Sequence, residues 1–319
     1  VVGAPRMEIV RKQLVGSLAS YKPREDGNRA SVALILREPP GCQSRDPAEA
    51  VEAAFILRSI NPNDRWSGHV ALPGGRQEPG EDDVQTAVRE TLEEVGWDLS
   101  PAGGAFQLIG RLDDRLAVTA PTICILVFAQ VVAATPPVHL APSEVAAVAW
   151  CPLSALTQGP ESVTPLEKDM EIVLREGDGL ARFASRVAGP RTILYTSVAL
   201  PVTEVHTFSD GIDVREHFFL WGLTLYILMD FLVRVGFRQD SLQLRTLLLG
   251  RWPIEKTCRS QWHSLAVALV KYASNDVLGH GLFSSQCARR LLQVEAWASV
   301  GALAAVLAGA SGLVVRRRR

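Results

Sequence analysis

The sequence predicts an α/β protein in which helices pack against a mixed β-sheet. Apolar runs of strand length come both before and after one strongly periodic helical segment, so strands, helix and strands follow one another along the chain. Hydrophobic residues make up 47% of the 319 residues, which is enough to bury a large core. This length suits one large domain or two of ordinary size.

The first strands are predicted from apolar runs that are bounded by turn-forming residues. Residues 30–37 (ASVALILR) and 52–60 (EAAFILRSI) are rich in apolar and β-branched side chains, and a loop rich in Pro, Gly and Ser separates them. A shorter strand is expected within SGHVALPGGR, before a loop of Gly, Pro and acidic residues. Further predicted strands cover residues 106–111, 123–132, 145–150 and 192–198.

An amphipathic helix is predicted over residues 82–95. Its apolar side chains recur at spacings of three and four, which places them on one face. They are Val84, Val88, Thr91, Leu92 and Val95. Asp82 or Asp83 can cap the start of this helix, and Gly96 can adopt the left-handed conformation that ends it.

The C-terminal part of the chain is predicted to be helical. Residues 218–229 are uncharged and number only twelve, so a core helix is favoured over a membrane span, with Trp221 in the core. The expected domains are a lead-in with a helix (1–29), the α/β domain (30–238), a helical extension of unassigned role (239–295), a membrane tail (296–315) and a basic end (316–319).

The hypothesis of a membrane tail rests on residues 296–315. These 20 residues carry no charge, which matches the length needed to cross a bilayer, and four arginines follow them. They would tether an intracellular protein to an organelle membrane, such as the mitochondrial outer membrane or the peroxisome. The alternatives are a buried Ala-rich helix or a tail lying on a surface, and moving four arginines across a bilayer opposes the usual charge bias.

Charge and cysteine content exclude several classes of protein. Thirty-three basic residues balance 34 acidic ones, whereas a dedicated nucleic-acid binder normally carries a basic excess. Five scattered cysteines with no CxxC pair argue against a disulfide scaffold or a zinc knuckle, and they suit a reducing compartment.

The stretch that points to chemistry begins at Gly75. Glu90, Glu93 and Glu94 occupy positions i, i+3 and i+4, so they share one face of the predicted helix. Three carboxylates on one face repel one another unless a cation lies between them, and oxygen ligands favour Mg²⁺ or Mn²⁺. A carbonyl of Gly74 or Gly75 could be a further ligand, because a glycine loop can approach an ion closely. The alternative is a solvated acidic helix face.

Arg89 is predicted to orient these carboxylates. It lies beside Glu90 and four residues before Glu93, and Glu81 is expected to be its second, bidentate partner. Magnesium commonly binds substrate phosphates, bound ions lower the pKa of an attacking water, and a glutamate can orient or deprotonate that water. The pattern therefore predicts hydrolysis of a diphosphate.

The segment GRQEPGEDDVQTAVRETLEEVGW resembles the Nudix box at every fixed position, with Thr91 as one soft departure where an aliphatic residue is common. The resemblance implies an α/β/α sandwich around a mixed sheet and a Mg²⁺- or Mn²⁺-dependent hydrolase acting on a small-molecule diphosphate. It also implies site residues. The metal ligands would be Glu90, Glu93, Glu94 and the Gly75 carbonyl, and the catalytic group would be Glu93, Glu90, Arg89 and Glu81.

Three further segments resemble the coenzyme A diphosphatase-like branch: AAFILRSINPNDRWSGHVALPGGR, SEVAAVAWCPLSAL and LWGLTLYILMDFL. This resemblance covers roughly residues 30–236 and implies coenzyme A or an acyl derivative as the substrate. Leu72 replaces the usual Phe, and Trp66-Ser-Gly-His69 replaces a His-x-Gly-Gln sequence. Another nucleoside diphosphate derivative, such as a nucleotide sugar, is therefore an alternative, as is a non-catalytic binding module of the same fold.

Four more residues are candidates for substrate binding. Arg58 and Arg65 could bind phosphate through their guanidinium groups, His69 could contact phosphate, and Glu144 could position a water. Each also has a structural alternative, as a surface charge, a strand-end histidine or a strand cap. The expected partner is a small molecule and no nucleic acid, with membrane association through the tail as a further hypothesis. The sequence gives no oligomeric state.

Overall fold

The computed structural model describes residues 5–19, 28–61, 66–116, 121–158, 163–169, 192–208 and 218–237. The chain divides into two compact units, one of residues 1–165 and 196–244 and the other of residues 166–195 and 245–319. Only the ends of two strands are described in the second unit. Arg65, the helical extension at 239–295 and the tail at 296–319 lie outside the described residues.

The described ranges contain three α-helices, eleven strands and a short 3₁₀ helix. The helices are α1 (Pro5–Ala19), α2 (Asp83–Val95) and α3 (Gly222–Arg234), and the 3₁₀ helix is Leu153–Leu156. The strands are β1 (Arg29–Arg37), β2 (Glu52–Arg58), β3 (Val70–Ala71), β4 (Gly74–Arg76), β5 (Phe106–Leu116), β6 (Thr122–Gln130), β7 (Val145–Pro152), β8 (Val163–Asp169), β9 (Thr192–Ala199), β10 (Glu204–Thr207) and β11 (Phe219–Trp221).

A mixed sheet of eight strands lies at the centre of the first unit. Six strands follow the order β10-β7-β2-β1-β6-β5, while β3 pairs with β2 and β4 pairs with β1. Strands β1 and β6 are parallel, and the other pairs in this sheet are antiparallel. The expectation of a mixed sheet with helices packed against it is confirmed. Strands β11, β9 and β8 form a second, three-stranded sheet.

The main core lies where α2 packs on the sheet. Alternate residues of β1, β2, β6 and β7 meet the apolar side of the helix, and the rings of Trp97 and Trp150 stack there with centroids 5.5 Å apart. The intervening residues, such as Leu34, Phe55 and Val127, are also buried. Because the central strands are buried on both faces, their sequences are continuous apolar runs rather than alternating ones.

Buried ion pairs join β1, α2 and β5. Arg29, at the start of β1, donates to both oxygens of Asp83 in the first turn of α2, at 2.9 and 2.8 Å. Its Nη2 also donates to Asp114 of β5 at 3.0 Å, and Arg111 donates to the other oxygen of Asp114 at 2.6 Å. All four side chains are at least nine-tenths buried. We call them the Arg29 network.

The structure corrects three details of the predicted elements. Strand β5 continues to Leu116, past two register shifts, instead of ending at residue 111. The segment predicted as a helix from residue 218 begins as strand β11, and α3 starts only at Gly222, whose φ of 61° breaks the extended backbone. Only one strand was predicted where β3 and β4 lie, and β8, β10 and β11 were not predicted. Strands β10 and β11 are only four and three residues long, too short for a periodic pattern.

Helix α3 buries Leu225, Leu228 and Phe231, as expected for a core helix. None of the helices in the described ranges is long and apolar enough to cross a bilayer. The predicted span at residues 296–315 is not among the described residues.

Candidate functional site

The helix that carries the three carboxylates is fixed at both ends. The Asp82 side chain accepts a hydrogen bond from the backbone N–H of Gln85, and the Gln85 side chain accepts one from the N–H of Asp82, both at 2.8 Å. This reciprocal pair is a capping box. At the other end Gly96, with φ 82°, donates its N–H to the Leu92 carbonyl at 3.0 Å. The positions of the acidic side chains along α2 are therefore well defined.

Two glycines bring the backbone of β4 against this helix. A Cβ on Gly74, whose φ is 143°, would lie 2.2 Å from the carbonyl oxygen of Ser31, so only glycine fits there. A Cβ on Gly75 would lie 2.5 Å from the carboxylate atoms of Glu90. The Glu90 carboxylate thus rests directly on the backbone of Gly75.

Arg89 contacts three carboxylates at once. Its Nε and Nη2 donate to the two oxygens of Glu81 at 2.6 and 3.1 Å. Its Nη1 donates to Glu90 at 3.1 Å and to Glu93 at 3.0 Å, and Nη2 also donates to the carbonyl of Arg76 at 3.0 Å. This arrangement is the bidentate pairing that the spacing predicted. It holds Glu90 and Glu93 on the side of α2 that faces β4.

Glu81 is held in its charged form. The hydrogen bond from Arg89 lowers the pKa of Glu81 to about 2, and further bonds from the Glu78 N–H and the Thr86 hydroxyl act in the same direction. The same contact with Glu81 raises the pKa of the Arg89 guanidinium above its ordinary value. Both partners are ionised at neutral pH, so their contact is a charge-assisted bond.

Glu94 is the most buried acid of the group, with 1% of its surface exposed. It accepts a hydrogen bond from the Gly74 N–H at 2.9 Å, and the Arg58 guanidinium lies 3.9 Å away. Burial raises its pKa to about 8. Burial also raises the pKa of Glu90, and the charge of Glu144 adds to the shift of both groups. Burial is the main cause of both shifts, and the guanidinium groups of Arg89 and Arg58 oppose it only in part.

The residues of this site fit a hard divalent cation in their chemistry. In the part of the chain that the structure describes, no three His, Cys, Asp or Glu side chains stand close enough to hold one ion. Glu90 and Glu93 both turn to Arg89, and Glu94 turns to the Gly74 amide. The donors are nevertheless all oxygens, and the Glu90 carboxylate lies on a glycine backbone with no side chain between them.

The structure places Arg58 3.9 Å from Glu94, and the charge of Glu144 acts on both Glu90 and Glu94. His69 is joined to Arg58 by a backbone hydrogen bond, in which the Arg58 N–H donates to the His69 carbonyl at 3.0 Å. The carbonyl of Glu144 accepts from Ser59, the residue after Arg58, at 2.8 Å. These residues therefore come from three neighbouring segments at one end of the sheet. Arg65 is outside the described residues.

Sequence reasoning missed several groups of the site. The Arg76 carbonyl and the Gly74 amide are backbone groups, which leave no side-chain signal in a sequence. Thr86 could have been found, because it lies five residues after Glu81 in the first turn of the predicted helix. The interpretation of Trp221 as a core residue was wrong. Its ring is only half-buried and meets the ring of His69 at a centroid distance of 4.6 Å.

Residues 45–174 match the family described as the NUDIX domain. An uncharacterized protein of Schizosaccharomyces pombe, C14C4.10c, is 36% identical over 176 residues, which cover 50% of this chain and 53% of that protein. Nudix hydrolase 3 of Caenorhabditis elegans is 34% identical over 96 residues, covering 30% of this chain and 38% of that protein. Mitochondrial coenzyme A diphosphatase NUDT8 of Homo sapiens is 36% identical over 87 residues, covering 27% and 33%.

The matched segments thus span about half or less of the length of these relatives. The family match includes the capped helix, the glycine bend and all the acidic residues described above. Residues 45–174, which hold the capped helix and the glycine bend, are therefore similar to the NUDIX domain.

Proposed function

We propose that this protein is a divalent-metal-dependent hydrolase that cleaves a diphosphate linkage in a small molecule. The single observation that carries the proposal is the arrangement around Arg89. One guanidinium holds Glu81, Glu90 and Glu93, while Glu90 lies on the backbone of Gly75. A solvated acidic helix face would need neither the glycine bend nor the bidentate arginine.

Each residue of the group then has a distinct role. Glu90, Glu93 and Glu94, with the Gly75 carbonyl, would hold Mg²⁺ or Mn²⁺, which when bound neutralises phosphate charge and makes a bound water more acidic. The Glu81–Arg89 pair keeps Glu90 and Glu93 in position. The Glu93 side chain is 57% exposed, so it can reach a water and accept its proton.

Arg58 is the residue best placed to bind a substrate phosphate. Its guanidinium lies 3.9 Å from Glu94, its side chain remains partly exposed, and guanidinium groups match phosphate oxygens. Glu144 lies close enough to influence the pKa of both Glu90 and Glu94, which supports a role in positioning water.

Coenzyme A or an acyl derivative is the substrate that we propose. The support is the resemblance of three segments to coenzyme A diphosphatase-like proteins and the similarity to a human protein named as a coenzyme A diphosphatase. The departures at Leu72 and at Trp66–His69 favour, as the second candidate, another nucleoside diphosphate derivative such as a nucleotide sugar. A binding module without catalysis is less favoured, because every acidic residue of the box is present.

A substrate panel with product identification by mass spectrometry tests the proposal. Coenzyme A should give adenosine 3′,5′-bisphosphate and phosphopantetheine in the presence of Mg²⁺ or Mn²⁺. Glu93→Gln should lower turnover by several orders of magnitude and leave thermal unfolding unchanged, because an exposed ligand and not core packing is lost. The matched control is Glu8→Gln, an exposed glutamate of α1, which should keep full activity. If the wild-type protein hydrolyses no diphosphate of the panel, the binding-module interpretation replaces the hydrolase.

A further inference from the structure

Three aromatic rings meet beside the carboxylate group. The ring of His69 lies edge-to-face against Trp66, at a centroid distance of 5.8 Å and an interplanar angle of 70°. It lies in the same way against Trp221, at 4.6 Å and 72°. Trp66 and His69 flank the turn before β3, and Trp221 ends β11. We call these three residues the aromatic cluster.

Strand pairing places the aromatic cluster next to the proposed phosphate-binding residue. The Arg58 N–H donates to the His69 carbonyl at 3.0 Å, so the last residue of β2 and the residue before β3 are joined by a backbone hydrogen bond. The Arg58 guanidinium reaches Glu94 in turn, at 3.9 Å. Arg58 therefore contacts His69 of the aromatic cluster through its backbone and approaches Glu94 with its side chain.

The aromatic cluster is also open to a ligand. Trp66 leaves 47% of its surface exposed, and His69 and Trp221 are half-buried. The exposed side chain of Ile60 lies over the turn between Trp66 and His69, because a Cβ on Gly68 would come within 2.9 Å of the Ile60 Cδ1. The result is a surface of aromatic rings and the Ile60 side chain, with the imidazole of His69 between the two tryptophans. Such a surface matches a planar heterocycle, which can stack on a ring and exchange a hydrogen bond with the imidazole.

We propose that the aromatic cluster binds the purine base in the nucleoside half of the substrate, with Trp66 as the stacking residue. The inference rests on the proposed function, because Arg58 would then lie between the base and the diphosphate. The order base, arginine and carboxylates along the surface matches the order base, phosphates and scissile bond in a nucleoside diphosphate derivative. The flexible half of the substrate, such as phosphopantetheine, lies on the other side of the diphosphate.

Separate binding measurements with the two halves of coenzyme A distinguish binding of the base from binding of the rest of the substrate. Isothermal titration calorimetry measures the affinity of the full chain for each half in Mg²⁺ buffer. The ligands are adenosine 3′,5′-bisphosphate and 4′-phosphopantetheine. The wild type is compared with Trp66→Ala and Trp66→Phe. Loss of one base-stacking contact is worth about 1–3 kcal/mol, so Trp66→Ala should weaken the adenosine ligand about tenfold to a hundredfold. Trp66→Phe should restore most of the affinity, and phosphopantetheine binding should not change.

The matched control is Phe208→Ala, because Phe208 is also 47% exposed but follows the edge strand β10. It should leave both affinities unchanged. In steady-state assays Trp66→Ala should raise KM with little change in kcat, as expected when binding common to ground and transition states is lost. Thermal unfolding checks that the variants fold.

Three results would overturn the inference: wild-type protein that does not bind the adenosine ligand, equal adenosine affinity in Trp66→Ala, or weakened binding of phosphopantetheine instead. These results can be distinguished from failure of the proposed function. If the protein cleaves diphosphates but gives one of these three results, the hydrolase proposal stands and the base site is refuted. If the protein cleaves no diphosphate but Trp66→Ala weakens nucleotide binding, the base site stands and the hydrolase proposal is refuted.

Discussion

Among single residues, Arg89 determines where the acidic side chains of α2 point. Its planar guanidinium bonds both oxygens of Glu81 with one edge and reaches Glu90 and Glu93 with another nitrogen. A lysine carries the same charge on a single nitrogen and cannot make this set of contacts together. The function of Arg89 is therefore geometric as well as electrostatic.

Arg89→Lys should reduce kcat/KM about tenfold to a hundredfold, the usual effect of removing a residue that orients metal ligands. Mg²⁺ titration of activity checks the cause, because the metal concentration at half-maximal rate should rise. Arg11→Lys, at an exposed position of α1, is the matched control and should change neither quantity. Unaltered metal dependence in Arg89→Lys would show that Arg89 does not position the ligands.

Gly75 provides a second test at the scale of one residue. A Cβ at this position would meet the Glu90 carboxylate at 2.5 Å, so Gly75→Ala should displace that carboxylate and lower turnover at least tenfold, while unfolding changes little. In contrast, Gly16 of α1 has open space around its Cα, and Gly16→Ala should leave activity intact and stabilise the fold by about 0.5–1 kcal/mol. Full activity in Gly75→Ala would contradict the proposed contact between Glu90 and the bend.

At the scale of elements, the Arg29 network fixes α2 relative to the sheet. It connects the start of β1, the first turn of α2 and β5 through two arginines and two aspartates whose side chains are at least nine-tenths buried. Removing one partner leaves the remaining charges buried without compensation. The position of α2 therefore depends on ionic contacts in its first turn, before the residues Glu90, Glu93 and Glu94.

Asp83→Ala should destabilise the fold by about 3–5 kcal/mol in denaturant unfolding, the typical effect of breaking a buried ion pair. Asp113, on β5 beside the network, offers a close comparison, because its side chain is 79% exposed and its partner Arg234 is 3.7 Å away. Asp113→Ala should cost less than about 1 kcal/mol. Equal effects from the two variants would mean that the buried pairs do not stabilise the position of the helix.

The same elements show how far the sequence could predict the fold and the site. Strands β1 and β2 and helix α2 were predicted because their signals are local: apolar runs, the period of the helix and its two caps. The carboxylates of the box were predicted as site residues from the same kind of local spacing. The aromatic cluster could not be found in this way, because Trp221 lies 152 positions after His69 and only pairing of distant strands brings them together. The pairing register of the strands depends on packing between residues far apart in the chain, so the parts of the fold and site that depend on it could not be predicted from local patterns.

For the whole molecule, the membrane tail stays a prediction from sequence alone. Residues 296–315 are the uncharged run that would tether the protein. Full-length protein should sediment with cell membranes and resist extraction by high salt, whereas a chain ending at Glu295 should remain in the supernatant. Carbonate extraction and flotation measure the difference. If both forms fractionate alike, the run does not anchor the protein.

Strand β1 serves two parts of the site with different residues. Arg29 ties its first position to α2, and two residues later Ser31 pairs with Gly75 in the bend. Side chains alternate along a strand, so a slip of one residue would turn the arginine away from Asp83 and shift the bend relative to Glu90 in the same event. Insertions or deletions inside these few residues are thus expected to be far less tolerated than changes of side chain. The spacing between Arg29 and Ser31 therefore sets the position of α2 relative to the Gly75 bend.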